Sequence, residues 1–121
     1  MDGAALGRRV RVVVDRPMGS RHPEHEDIVY PINYGYVPGV PGGDGEAQDA
    51  YLLGVDEPVA RFEGVVAAVI HRLDDMEDKW VVAPEGMAVS AEQVRAATDF
   101  QERFFTTRIR VRPGRDAKGS G

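Results

Sequence analysis

Residues 64–84 carry the sequence GVVAAVIHRLDDMEDKWVVAP, in which two apolar runs flank a short acidic segment. The first run extends from Gly64 to Leu73 and the second from Lys79 to Pro84. Continuous apolar runs of this length, rich in β-branched residues, are typical of strands that are buried in a core. This stretch therefore predicts two buried β-strands, with acidic residues gathered between them.

Three segments upstream also have the composition of strands or extended chain. Residues Arg9 to Val14 alternate arginine with valine and then become apolar, which predicts a strand that enters a core. Residues 30–39, YPINYGYVPG, form an aromatic segment with a proline near each end, and Ala50 to Val55 has the apolar character of another buried strand. The glycines of residues 41–45 predict a tight turn between these two segments, because glycine adopts positive φ freely.

The pattern changes after Gly86, where two capping boxes occur, at residues 90–93 and 98–101. A serine or threonine that is followed three residues later by glutamine is a signal for the start of a helix. We therefore expect two short helices, at about residues 91–97 and 99–106.

The C-terminal part of the sequence has a weaker strand pattern and then a polar tail. Ile109 and Val111 alternate with arginines, which predicts a last short strand. Residues 113–121 are polar and glycine-rich, as is typical of a disordered tail. Several strands followed by helices predict one α+β domain over residues 1–112, mainly β, in which a small barrel packs against helices near residues 91–106.

Composition excludes several classes of function. The 121 residues include no cysteine, so disulfides, zinc–thiolate sites and thiol nucleophiles are excluded, and a cytoplasmic location is expected. No apolar run approaches the roughly 18 residues of a membrane-spanning helix, and the first residues lack the pattern of a signal peptide. The net charge of −5 argues against nucleic acid as a partner. The sequence leaves a homo-oligomer open.

A first acidic cluster occurs at residues 44–49, DGEAQD. In an extended chain Asp44 and Glu46 point to the same side, and Asp49 begins the next strand. Clustered carboxylates of this kind suit hard cations such as Mg²⁺ or Mn²⁺. The alternative is a solvated acidic turn with no ligand.

A second acidic cluster, at residues 74–78, has four carboxylates in five residues. Two like charges about 4 Å apart repel by roughly 1 kcal/mol in water and about 4 kcal/mol at an effective dielectric constant of 20. If a barrel brings both clusters together, bound cations or raised pKa values are needed. The alternative is the solvated tip of a hairpin.

Basic and aromatic residues surround the first predicted loop. Arginine suits phosphate through its fixed fork of donors. Alternating tyrosines at residues 30–36 are also compatible with ordinary core packing. The candidate residues of this loop are Asp15, Arg16, Arg21, His22 and His25.

Three of these segments, in chain order, resemble motifs of the soluble inorganic pyrophosphatases of the first family. Residues 30–39 are similar to the family's Tyr-Pro-x-Asn-Tyr-Gly-Tyr segment, and residues 44–49 to its Asp-Gly-Asp-Pro-x-Asp signature. Residues 74–79 resemble its Asp-x-x-Gly-Glu-Asp-x-Lys stretch. The resemblance implies a five-stranded OB-like barrel, pyrophosphate as the substrate and Mg²⁺ as the cofactor, with Mn²⁺ as a substitute.

The resemblance also implies roles for individual residues. Glu46 matches the carboxylate that accepts a proton from the attacking water, while Tyr34 and Lys79 match residues that hold phosphate. Arg16 and Arg21 are the nearest phosphate ligands in the shortened loop. The implied metal ligands are Asp44, Asp49, Asp78, either Asp74 or Asp75, and Asp15 at an outer position.

Several positions depart from the family pattern. Glu46 stands where the family has aspartate, and the loop between Gly19 and Tyr30 is too short for the hairpin that normally supplies a lysine, a glutamate and an arginine. Phe104 and Phe105 stand near the place of a tyrosine–lysine pair.

We therefore expect an inorganic diphosphatase in which two divalent cations bind a shared water that Glu46 deprotonates. One alternative is a metal-dependent hydrolase of another phosphoanhydride, such as a nucleotide or the end of a polyphosphate. A second alternative is a non-catalytic barrel that binds a metal or an anion.

Overall fold

The computed structural model describes residues 5–75 and 77–112. The predicted tail at residues 113–121 lies outside these residues. Six strands and one helix follow one another along the described chain: β1 (Arg9–Arg16), β2 (Tyr34–Pro41), β3 (Ala47–Leu52), β4 (Arg61–Arg72), β5 (Asp78–Ala83), α1 (Ala91–Glu102) and β6 (Thr107–Val111).

Strands β1 to β5 close into a barrel. Their order is β1-β2-β3-β5-β4, and β1 pairs with β4 as well as with β2, which joins the two ends of the sheet. β3 and β5 are parallel, and the other pairs of the barrel are antiparallel. β6 pairs with the second half of β4, beyond the residues that pair with β1. The prediction of a mainly β, α+β fold with a small five-stranded OB-like barrel is confirmed.

The inside of the barrel is filled by apolar side chains, mostly valines, together with one tryptophan. β1 illustrates the cause, since exposed Arg9 and Arg11 alternate with buried Val10 and Val12. Burying a valine or leucine side chain completely contributes about 1.5–3 kcal/mol. The buried members of this core are Val10, Val12, Val37, Ala50, Leu52, Val66, Val69, Trp80 and Val82.

Gly35 permits β1 and β2 to approach closely. It pairs with Val14, and a Cβ atom at Gly35 would lie 1.9 Å from the carbonyl oxygen of Val13. Any side chain at this position would therefore push the two strands apart.

A second core lies between the outer face of the barrel and helix α1. Val94 on the helix packs with Tyr51, Ala68, Ile70 and Val81. The helix begins at Ser90, whose side chain accepts a hydrogen bond from the backbone N–H of Gln93, and Gln93 reciprocates. This confirms the first of the two predicted capping boxes.

The prediction of two helices is wrong, because one continuous helix extends from Ala91 to Glu102. Thr98 is buried inside it and donates its hydroxyl hydrogen bond to the carbonyl oxygen of Val94, 2.8 Å away. Val94, Thr98 and Glu102 are spaced four residues apart and form the buried stripe of the helix. Thr98 therefore belongs to the packed face and does not begin a second helix.

The parallel pairing of β3 and β5 determines where the acidic segments lie. The connection that contains residues 42–46 precedes β3, and the one that contains residues 73–77 precedes β5. Because the two strands run in the same direction, both connections lie at the same end of the barrel. Among the described residues, no helix combines the length and the apolar character needed to cross a membrane.

Candidate functional site

Lys79 lies at the centre of a polar cluster on the outer face of the barrel. Its side chain is buried, with 4% of the residue exposed. The ammonium donates hydrogen bonds to the Asp49 carboxylate at 2.5 Å and to the Tyr34 hydroxyl at 3.2 Å, and it pairs with Glu77 at 2.8 Å. β2, β3 and β5 therefore each bring one side chain to the cluster, and the residue before β5 adds a fourth.

The register of the strands explains this convergence. Ala50 of β3 is the partner of Trp80 of β5, so the residues that precede them, Asp49 and Lys79, also lie side by side. Tyr34 of β2 is the partner of Tyr51 in β3. Because Tyr51 is two residues after Asp49 in the same strand, the side chains of Tyr34 and Asp49 lie on the same face.

Burial and charge act in opposite directions on the protonation of Lys79. Burial disfavours the cation, but the negative charge that Tyr34 carries once it is ionised and the hydrogen bonds to Asp49 and Glu77 outweigh this effect, so the pKa of Lys79 is raised. Burial raises the pKa of Tyr34 as well, although the positive charge of Lys79 opposes this rise. At neutral pH the cluster therefore holds an ammonium beside a neutral hydroxyl, and both are donors that suit phosphate oxygens.

Glu77, which was not among the predicted site residues, occupies the position expected for Asp78. Glu77 and Lys79 are two residues apart and lie on one face, whereas the side chain of Asp78 lies on the other and contacts Nδ1 of His71 at 2.8 Å. Alternation along a strand could have identified Glu77, had the first residue of β5 been known.

Arg72 is a second buried cation that the sequence did not indicate. Its guanidinium forms a two-pronged pair with Glu102 at 2.9 and 2.8 Å, and it lies 3.4 Å from Asp75 and 3.6 Å from Glu77. It also covers the ring of Phe105, 3.7 Å from the ring centre. Burial acts to lower the pKa of Arg72, but the hydrogen bonds to Glu102 and its negative charge have a larger, opposite effect. The pKa of Arg72 is therefore raised, and Arg72 stays charged. Arg72 thereby neutralises carboxylates beside the Lys79 cluster.

A chain of hydrogen bonds connects helix α1 to this face of the barrel. The Tyr51 hydroxyl donates to Glu102 at 2.6 Å and accepts from the side-chain amide of Gln101 at 2.7 Å. The oxygen of the same amide accepts from the Tyr30 hydroxyl at 3.3 Å. Burial, followed by the charge of Glu102, raises the pKa of Tyr51.

Asp15 and Arg16, which the sequence assigned to a loop, are the last two residues of strand β1. Both act electrostatically on the hydroxyl of buried Tyr30, and Lys79 does so too. Burial raises the pKa of Tyr30 and the charge of Arg16 opposes the rise. Arg21 is further out and donates to the backbone carbonyl of Glu26 at 2.8 Å.

The remaining predicted ligands are exposed and accept hydrogen bonds from backbone N–H groups. Asp44 accepts a hydrogen bond from the backbone N–H of Glu46 at 3.0 Å, within the turn before β3. Asp74 accepts from the backbone N–H of Thr106 at 3.1 Å, and Asp75 from that of Glu77 at 3.0 Å.

The predicted grouping of carboxylates around two cations is not formed by the described residues, where no three side chains of His, Asp or Glu converge on a point that could hold a metal. The cause is local, since Asp78 lies on the opposite face and Arg72 lies beside Asp75. The carboxylates that do come together share a cation: Asp49 and Glu77 share Lys79, and Asp75 and Glu77 share Arg72. This set of residues does not fit a two-metal centre.

Comparison with known proteins identifies the fold. No protein-family model matches the chain, and no curated protein matches it. Solved structures do match. The inorganic pyrophosphatase from Ehrlichia chaffeensis has a TM-score of 0.67 at 15% identity, over 88% of this chain and 87% of that one. The inorganic pyrophosphatase from Neisseria gonorrhoeae has a TM-score of 0.57 at 23% identity, over 78% of this chain and 72% of that one.

A third match, the inorganic pyrophosphatase from Helicobacter pylori, has a TM-score of 0.59 at 18% identity and covers 90% of this chain and 86% of that one. In all three cases most of both chains is aligned, so the likeness extends over the barrel and its surroundings. The chain therefore has the fold of the bacterial inorganic pyrophosphatases.

Proposed function

We propose that the protein binds inorganic pyrophosphate as its magnesium complex and hydrolyses it to two phosphates. The observation that carries this proposal is the buried ammonium of Lys79, held among Tyr34, Asp49 and Glu77 in a fold shared with pyrophosphatases. A buried cation beside a neutral hydroxyl suits a dense anion. As part of the same proposal, the protein acts in the cytoplasm, since a chain without cysteine needs no oxidising compartment.

In this proposal Lys79 and Tyr34 donate hydrogen bonds to phosphate oxygens, and Arg16 approaches from the end of β1. Magnesium, or manganese in its place, would be held by the substrate and by Asp49 and Glu77, and would reduce the repulsion between pyrophosphate and these two carboxylates. Water attacks one phosphorus atom, its proton passes to Glu46, and the bridging P–O bond breaks to release the second phosphate. The role of Glu46 as proton acceptor is supported by its position in the turn before β3, at the same end of the barrel as Glu77.

A specific observation favours a second candidate, a non-catalytic barrel that binds an anion. The positive charge of Arg72 lies among Asp75, Glu77 and Glu102, so carboxylates that could act on a metal-bound substrate are already paired. This arrangement retains an anion-binding site at Lys79 but is less compatible with the hydrolysis of pyrophosphate.

Phosphate release from pyrophosphate in the presence of Mg²⁺ tests the proposal. We expect release by the unchanged protein and a loss of at least about 100-fold in Lys79→Met, which removes one preorganised donor. Asp49→Asn, which keeps the shape of the side chain, should also be slower. Glu85→Gln is the control, because Glu85 is exposed and pairs with Arg9 away from the cluster.

The outcomes separate the two candidates. Equal rates in the unchanged protein and in Asp49→Asn contradict hydrolysis at this cluster. Calorimetric binding of pyrophosphate without any release over hours supports the anion-binding barrel. The absence of both binding and release contradicts both.

A further inference from the structure

The loop between β1 and β2 is internally hydrogen-bonded and presents a row of rings. Gly19 and Ser20 bond to Tyr30 through their backbones at 2.8 and 2.9 Å, and the backbone N–H of His22 donates to the carbonyl of Ile28 at 2.8 Å. Arg21 and Val29 form an isolated β-bridge in the same loop. The loop is thus a short hairpin whose backbone is fixed by its own hydrogen bonds.

The rings form a continuous series from the surface to the Lys79 cluster. The ring of His25 lies 5.0 Å from that of His22, which is parallel to the ring of Tyr30 within 6° at 6.0 Å. Tyr30 lies 5.8 Å from Tyr34, and the ammonium of Lys79 lies 5.8 Å from the centre of the Tyr34 ring. Exposure decreases along the series, from exposed His25 through half-buried His22 to buried Tyr30.

We propose that this series of rings binds the base of a nucleoside diphosphate whose terminal phosphate lies at Lys79. This inference rests on the proposed function, since it uses the same anion site and extends its substrate from pyrophosphate to a pyrophosphate ester. Heteroaromatic bases stack on histidine and tyrosine rings, and removal of one such ring weakens binding by about tenfold. The exposed end of the series, at His25 and His22, offers rings of this kind, and Tyr30 and Tyr34 connect them to the site proposed for phosphate at Lys79.

The charges of the loop orient such a ligand. Three exposed carboxylates, Glu24, Glu26 and Asp27, surround the outer end, and they would repel phosphate but not a neutral base. Two positive charges, Arg16 and Lys79, lie at the inner end, where both act on the Tyr30 hydroxyl, whereas the exposed Arg21 is held against the carbonyl of Glu26. The base is therefore directed outwards and the phosphates inwards.

Two hydrogen bonds hold the rings in place before any ligand binds. Nδ1 of His22 accepts the backbone N–H of Glu24 at 3.1 Å, which fixes the plane of the imidazole. The Tyr30 hydroxyl donates to Gln101 at 3.3 Å. Rings that are already ordered lose little freedom on binding, which favours affinity.

The corresponding reaction follows the same course as with pyrophosphate. The oxygen of water bonds to the terminal phosphorus, the bridging P–O bond breaks, and the leaving group is the nucleoside monophosphate. The proton of water passes to Glu46, as before.

Calorimetry with three ligands tests the inference: pyrophosphate, methyl diphosphate and adenosine diphosphate, each with Mg²⁺. Methyl diphosphate has the charge of the nucleotide but no base. We expect adenosine diphosphate to bind about tenfold more tightly than methyl diphosphate. His25→Ala and His22→Ala should reduce this ratio to near one. Val29→Ala is the control, since Val29 is exposed in the same loop but carries no ring.

Equal affinities for adenosine diphosphate and methyl diphosphate in the unchanged protein overturn the inference. An unaltered ratio in His25→Ala also overturns it, and because His25 is exposed this variant tests the ring even if His22→Ala fails to fold. Neither result affects the release of phosphate from pyrophosphate. If instead Lys79→Met hydrolyses pyrophosphate normally, the proposed function fails while the ratio between the two esters can still be measured.

Discussion

Arg72 illustrates how a single residue connects the barrel, the helix and the candidate site. Its guanidinium pairs with Glu102 at the end of α1, and it reaches Asp75 and Glu77 in the connection before β5. Arg72 and Glu102 have side-chain exposures of only 8% and 6%. At this burial, removing one charge leaves the other without compensation in a medium of low dielectric constant.

We expect Arg72→Met to lower the free energy of unfolding by about 3–5 kcal/mol, because the Glu102 carboxylate stays buried without its cation. The double variant Arg72→Met/Glu102→Leu should recover much of this loss, since it removes both charges. Urea denaturation monitored by circular dichroism measures both quantities.

Arg103→Met provides the matched control, because Arg103 pairs with Asp99 on the exposed side of the same helix. Its cost should be below about 1 kcal/mol. Similar losses in Arg72→Met and Arg103→Met would show that the buried pair contributes no more than an exposed one.

At the scale of elements, the seam between β1 and β2 depends on Gly35. We expect Gly35→Ala to lower the free energy of unfolding by at least about 3 kcal/mol, since its Cβ would overlap the carbonyl oxygen of Val13. Gly39→Ala in the same strand is the comparison. Gly39 has φ of 81° and open space around it, so only backbone strain of about 1–2 kcal/mol is expected.

Chemical denaturation of the two variants decides between these expectations. If Gly35→Ala costs no more than Gly39→Ala, β1 and β2 do not approach as closely as their pairing requires.

The local pattern of the sequence predicted most of the strands but not their pairing. The run after Gly64 and the run after Lys79 became β4 and β5, because continuous apolar segments fit a barrel wall that is covered on both faces. The parallel contact between β3 and β5 could not be predicted, since β4 lies between them in the chain and local periodicity carries no information about such distant partners.

Only part of the candidate site was predicted, again because the local pattern does not show which distant residues meet. Tyr34, Asp49 and Lys79 were all identified, and the structure brings them together, while their catalytic roles stay predictions. Glu77 and not Asp78 lies beside Lys79, because neighbouring residues of a strand point to opposite faces, and the role of Asp78 as a metal ligand stays a prediction. The pair of Arg72 with Glu102 joins residues far apart in sequence, and no motif signals it.

At the scale of the whole molecule, three of the tyrosines link stability to alkaline pH. The pKa values of Tyr30, Tyr34 and Tyr51 are raised from the ordinary value of 10.0, in each case mainly by burial. The folded state therefore retains protons that the unfolded chain releases above pH 10. The resulting stabilisation is complete below that pH and is lost as the pH rises towards the folded pKa values.

We expect the free energy of unfolding to fall by at least about 1 kcal/mol between pH 9 and pH 11. The raised pKa of Lys79 acts in the same direction, since the folded state also holds that proton more tightly. Urea midpoints across this range measure the effect, and Tyr51→Phe should make the dependence shallower. A stability that is constant up to pH 11 would contradict the burial of these hydroxyls.

The double pairing of β1 also matters while the chain is being synthesised. One of the two neighbours of β1 is β4, whose residues 61–65 emerge from the ribosome only after β2 and β3. Until then the nascent chain carries an incomplete sheet with Val10 and Val12 uncovered, a state that is prone to aggregation. We therefore expect the ring of strands to be joined only after β4 and β5 have been synthesised, and the apolar face of β1 to need protection until then.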